Sequence, residues 1–215
     1  MARFREVSIL FVIGFHCLAA EKTPHVPRSP DVAPELRVTV NVYNGTNLPT
    51  DELDRAEREA ERIFRYAGIQ LAWGDGLMGS DDHGQTRQES WDPLTLQLRI
   101  WPRTAAGTRP SGADTLGFCL SFESSDAVVL ADTVQKHVVP GSPAFADLLG
   151  IAMAHELGHL LLQSARHSVS GIMRSHLSER TRRDDERGYL RFTSWEAEFM
   201  RKQILRRMKL KSEPY

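Results

Sequence analysis

Residues His155 to Met173 read HELGHLLLQSARHSVSGIM, and two histidines and a glutamate within them stand at spacings that suit chemistry. Residues four apart on an α-helix are separated by about 400° of rotation and about 6 Å of rise. His155 and His159 therefore project from one side, one turn apart. Two imidazoles placed this way can close on a single zinc ion at about 2.0–2.1 Å. Glu156 comes one position later, close enough to hydrogen-bond a water on that metal without being a ligand. In this HExxH pattern the metal acidifies the water and polarises a carbonyl while the carboxylate takes the proton, so Glu156 is the expected catalytic base.

A catalytic zinc also needs a third protein donor. His167 lies eight residues past His159, and an unbroken helix would carry it about 12 Å along the axis, out of reach. The helix must stop near residues 162–165 and the chain must fold back. The polar run Gln163-Ser164-Ala165-Arg166 permits that, with no glycine to ease it.

The stretch resembles the metzincin clan of zinc peptidases, whose signature HExxHxxGxxH is followed by a tight turn carrying a methionine beneath the metal. His155, Glu156 and His159 match it, and Gly171-Ile172-Met173 is similar to the methionine turn. Leu162 stands where the family has its glycine. Ala165 stands where it has its third histidine, so His167 arrives two residues late. The resemblance implies one catalytic zinc on His155, His159 and His167, and a peptide or protein substrate cut at internal bonds. It also implies an α+β domain: a twisted mixed sheet of four to five strands packed on two helices, with a C-terminal helix after the active-site loop. A strand over residues 116–122 would lie at the sheet edge and pair with extended substrate. In gluzincin-type peptidases the third ligand is a glutamate on a later helix, which keeps Glu196 and Glu198 as alternatives to His167, beside His176 and Glu179. A different class of function is a catalytically lapsed, zinc-stabilised protein that only captures peptides; a third keeps the hydrolase and changes the substrate, for example to a cell-wall peptide.

The elements that must position these residues are legible in the periodicity. Leu36, Val38, Val40 and Val42 alternate with polar residues as in a half-buried strand, stopped by Asn44-Gly45. Leu53, Ala56, Ala60, Ile63, Phe64 and Ala67 form the apolar stripe of a helix that opens near Pro49-Thr50-Asp51-Glu52 and ends at Gly68. Ile69, Leu71 and Trp73 predict a second strand, followed by a polar loop over 74–92. Leu94, Leu96, Leu98 and Ile100 predict a third strand, followed by a turn-rich stretch over 103–115. Leu116, Phe118, Leu120 and Phe122 predict one face of a fourth strand, with Gly117, Cys119 and Ser121 on the other. The run 127–131, AVVLA, has the unbroken apolarity of a strand covered on both faces. Ser142-Pro143 pairs an N-cap with proline at the first helical position, opening the motif helix over roughly 143–163. Thr193 and Glu196 have the spacing of a capping box at the head of a last, basic helix with Ala197, Met200, Ile204 and Met208 as its stripe.

The first twenty residues put Arg3 and Arg5 before an apolar run from Ser8 to Ala20 that ends in small residues. That is the pattern of a cleaved secretory signal, too short to span a bilayer, and the chain is expected to be secreted or periplasmic with no stable membrane insertion after cleavage. No other stretch is expected to span. Residues 21–35, with prolines at 24, 27, 30 and 34, predict a flexible leader, and 36–215 a single metallopeptidase domain. Removing the signal leaves Cys119 as the one cysteine, expected as a plain buried thiol, so no internal disulfide supports the fold. With 215 residues, 41% hydrophobic, the chain has material for a sizeable core, and its net charge of −1 offers no bulk field for nucleic acid.

Overall fold

A computed structural model describes residues 36–75, 92–106, 112, 114–175 and 190–212. The expected signal and leader over 1–35, most of the polar loop that comes after the second strand, and His176 and Glu179 lie outside these residues. The described chain is a mixed five-stranded sheet with helices, the α+β architecture expected. The strands are β1 (Arg37–Asn44), β2 (Gln70–Asp75), β3 (Thr95–Trp101), β4 (Gly117–Ser121) and β5 (Asp126–Leu130), in the spatial order β2-β1-β3-β5-β4. All neighbours pair in parallel except β4, which runs antiparallel to β5 and forms one edge of the sheet.

Alternation along β1 and β3 sends Val38, Val40, Val42, Leu96, Leu98 and Ile100 into one core. Against it pack α1 (Thr50–Tyr66), through Ala56, Ala60, Ile63 and Phe64, and α3 (Ala144–Leu162). The helices approach closely because Gly150 of α3 has no side chain. A Cβ there would stand 2.7 Å from the Glu59 Cβ and would overlap the Ala56 carbonyl. β5 is covered on both faces, as its unbroken apolarity predicts. Ala127 and Val129 join the main core, while Val128 and Leu130 join a smaller cluster with Ala106 on the other face.

Three features depart from the expected elements. Residues 131–136, where the sequence shows only the end of a strand, form a short helix α2 (Ala131–Lys136), six residues being too few to show a helical period. A single 3-10 turn, Arg103–Ala106, interrupts the expected turn-rich stretch. In β4 the register shifts between Cys119 and Ser121, so Phe122 turns into the main core while Phe118 and Leu120 pack on the opposite face.

Helix α3 begins within a residue of its expected start, where Ser142 Oγ accepts the Ala144 N–H at 3.2 Å. It is apolar on every side and buried almost throughout, the mark of a core helix. Contrary to expectation, its length and composition alone would suffice to cross a membrane; here its apolar surface is spent on the sheet and on α1. The last helix, α4 (Ser194–Ser212), buries Ala197, Met200 and Ile204 as its stripe predicts. Arg207 ties it down by donating to the carbonyls of Pro93 and Leu160 and to Ser125 Oγ.

Candidate metal centre

His155, Glu156 and His159 all sit on the buried part of α3, each less than 10% exposed. The helix ends at Leu162, within the range that the spacing to His167 required. Gln163 takes the left-handed conformation (φ 51°, ψ 39°) that glycine usually supplies. Its side-chain amide donates to the Leu160 carbonyl at 2.7 Å, satisfying one acceptor the helix end leaves open. The chain then folds back. Ser168 N–H donates to the Met173 carbonyl at 2.7 Å, and Gly171 (φ 76°) makes the turn between them.

This path brings His167 to the other two histidines. The ligating atoms of His155, His159 and His167 lie within 4.8 Å of one another, and among the described residues they form the one such group. The ring centroids are 4.6 Å apart for His155 and His159, 5.3 Å for His155 and His167, and 5.0 Å for His159 and His167. His167 is exposed, so the cluster opens to solvent on its loop side.

Hydrogen bonding fixes which nitrogens face inward. His155 Nδ1 stands 2.8 Å from the Ile172 carbonyl and His159 Nδ1 2.7 Å from the Ser164 carbonyl. A carbonyl only accepts, so both Nδ1 atoms carry hydrogen, and in neutral rings both Nε2 atoms present lone pairs. Those two Nε2 atoms are 3.0 Å apart. Burial, and then the neighbouring His159, push the His155 pKa down to about 3, and burial lowers that of His159, so neither ring recruits a proton to bridge the gap. Two lone pairs at that distance repel unless a cation lies between them. Nitrogens on a tetrahedral zinc stand about 3.3 Å apart, close to the spacing of this pair, and with the His167 donor within 4.8 Å the cluster is consistent with a zinc site.

Glu156, the next residue along the helix, brings its carboxylate against β4. A Cβ at Gly117 would lie 2.7 Å from both Cγ and Oε1 of Glu156 and 2.6 Å from the Val128 carbonyl, so only glycine leaves the carboxylate its place. Burial raises the Glu156 pKa to about 8, and its Oε2 is buried without a hydrogen-bond partner. Cys119, two residues along β4 from Gly117 and on the same face, brings its Sγ to 4.0 Å from the Glu156 carbonyl. Burial, reinforced by the Glu156 charge, pushes its thiol well above the ordinary range; the cysteine is free, as expected, but half-buried rather than fully buried.

Met173 is fully buried against α3. A Cβ at Gly158, between the two helical histidines, would meet the Met173 Sδ at 2.7 Å and the Phe192 ring at 2.8 Å. Neither glutamate alternative joins the histidines. Glu198 is exposed and paired with Lys202 at 2.6 Å, while Glu196 is engaged in the capping box that heads α4. Gly117 is not among the site residues that the motif marks, although an isolated glycine in an alternating apolar strand is a signal of close approach.

No protein-family model matches the sequence, and no curated protein matches it either. Solved structures do. A zinc-dependent peptidase from Methanocorpusculum labreanum superposes with a TM-score of 0.51 at 14% identity, over 75% of this chain and 99% of that one. An archaemetzincin from Methanopyrus kandleri gives a TM-score of 0.46 at 16% identity, over 84% and 99%. At such identity what the chain shares with the first of these, a zinc-dependent peptidase, is its fold.

Proposed function

We propose that the chain is a metzincin-like zinc endopeptidase in which His155, His159 and His167 hold the metal and Glu156 is the general base. The observation that carries this reading is the pair of inward-facing Nε2 atoms 3.0 Å apart, with a third imidazole beside them. A bound zinc ion supplies an acidified water and an electrophile for the scissile carbonyl. Glu156 accepts the water's proton at its carboxylate and returns it to the leaving amine. Burial raises its pKa to about 8, and a cation nearby would act in the opposite direction. The outer edge of β4 offers main-chain groups to an extended peptide, which would lie across the face where Glu156 meets Gly117. The signal pattern of residues 1–20 supports export, which would place substrates outside the cytoplasm.

The test is hydrolysis of a mixed peptide library by the zinc-loaded protein, by the chelated protein and by Glu156→Gln. The expected result is cleavage at internal bonds that chelation abolishes, and a loss of at least about 100-fold in the variant with zinc still bound. Unchanged turnover in Glu156→Gln removes the mechanism. Zinc and peptide binding without cleavage in the wild type leaves the lapsed, peptide-capturing protein instead.

A further inference from the structure

Glu196 makes more bonds than a helix cap requires. In a capping box the N3 carboxylate needs one oxygen for the backbone N–H it reaches back to, and the other oxygen is ordinarily left to water. Here Oε2 accepts the Thr193 N–H at 2.7 Å, and the Thr193 hydroxyl accepts the Glu196 N–H at 3.3 Å, completing the box. The second oxygen, Oε1, accepts a short hydrogen bond from the hydroxyl of Ser168. Ser168 is the residue after His167, and its own N–H donates to the Met173 carbonyl. Glu196 is 2% exposed, in the first turn of α4. One buried carboxylate thus links the head of α4, the loop that carries His167 and the turn that carries Met173.

We propose that Glu196 is a positioning residue for the metal centre, holding Ser168, and through it the backbone of His167, where the third imidazole meets the other two. The inference rests on the reading of the histidines as metal ligands. His167 is exposed and sits on a loop whose helix exit already uses a strained left-handed glutamine. Without the tie from Ser168, the loop keeps its polar anchors at Ser164 and Met173 but gains freedom at the ligand itself. Outer partners of metal ligands of this kind commonly contribute about 10–100-fold to affinity.

The two halves of the carboxylate's work separate by mutation. Ser168→Ala removes the tie to the loop and leaves the capping box whole; Thr193→Ala weakens the box and leaves the tie. Zinc dissociation constants, measured for zinc alone by competition with a chromophoric chelator, are set beside the thermal midpoint of each metal-free protein. Ser168→Ala is expected to weaken zinc binding about 10–100-fold, beyond any fall in the metal-free midpoint from the carboxylate oxygen it leaves unpaired. Ser168→Thr, which restores the hydroxyl, is expected to recover most of that loss. Thr193→Ala is expected to lower the midpoint while moving the dissociation constant less than about threefold, well below the ligand-partner range. Wild-type affinity in Ser168→Ala, or losses of affinity in Thr193→Ala that match it, would overturn the proposal and return Glu196 to a plain helix cap. A wild-type protein that binds no zinc would overturn the metal reading and this inference with it.

Discussion

His155 and His159 stand on a helix that buries Leu148, Leu149, Ile151, Met153, Leu157, Leu160 and Leu161 completely, whereas His167 stands on an exposed loop anchored by a few hydrogen bonds and by Ile172 and Met173. Each buried aliphatic side chain contributes roughly 1.5–3 kcal/mol, against a net of about 0.5–1.5 kcal/mol for each hydrogen bond. The helical half of the centre is therefore fixed by folding itself, and the loop half only by its local contacts. On the proposed reading, folding alone would preassemble two ligands and the base, and the third would close the site.

The largest effect that tests this contrast comes from removing ligands one at a time. His155→Ala is expected to abolish measurable zinc binding and to lower the thermal midpoint of the metal-free protein, because a buried ring and its bond to the Ile172 carbonyl are both lost. His167→Ala is expected to leave weak binding on the remaining pair, and to change the metal-free stability by no more than the roughly 0.5 kcal/mol usual for an exposed position. Chelator competition and thermal unfolding on both variants check it. Equal losses of stability in the two would break the contrast between helix and loop.

The junction of the two halves gives a smaller effect. Gly158→Ala puts a methyl carbon against the Met173 sulfur and the Phe192 ring, both buried. Overpacking of this kind costs about 1–3 kcal/mol, and the better helix propensity of alanine returns about 1 kcal/mol. The net loss of up to about 2 kcal/mol corresponds to a midpoint lowered by several degrees, at about 2–4 °C per kcal/mol for a domain of this size. Zinc affinity should fall with it, since the turn over Gly171-Ile172-Met173 carries the carbonyl bonded to His155. An unchanged midpoint would mean that the turn is free to shift, and that the loop is less bound to α3 than its packing implies.

The same contrast governs how much the sequence reveals. The helical half is legible because ligand spacing and helical period are both local: HExxH places His155, Glu156 and His159, and the apolar stripes place α1 and the core strands. His167 is legible by its chemistry, but its path is not, since nothing in Gln163-Ser164-Ala165-Arg166 marks the left-handed residue that turns the chain. Glu196 reads both as a capping residue and as a possible ligand. A carboxylate three residues after a threonine fits the first by spacing alone, and only the folded loop reveals that its other oxygen meets Ser168. Gly117 and the bulge in β4 escape for the same reason, being consequences of how α3 and β5 meet that strand in space.

The smallest expected effect is a pH dependence that only the helical half should carry. In the metal-free protein Glu156 binds its proton more tightly when folded, with its pKa raised by burial from 4.5 to about 8. A raised folded value contributes stability that is fully present below pH 4.5 and is lost as pH rises toward 8. His155 acts at the other end. Its value, lowered from 6.5 to about 3 by burial first and by His159 second, gives stability that is present above pH 6.5 and is lost as pH falls toward 3. The two oppose each other between pH 4.5 and 6.5, and from 6.5 to 8 the glutamate acts alone. The thermal midpoint of the chelated wild type should therefore fall from pH 6.5 to 8, and the fall should shrink in Glu156→Gln. It should persist in His167→Ala, because the loop imidazole is not what buries the carboxylate. A slope that disappears with His167 instead would show that the loop, not the helix and β4, encloses Glu156.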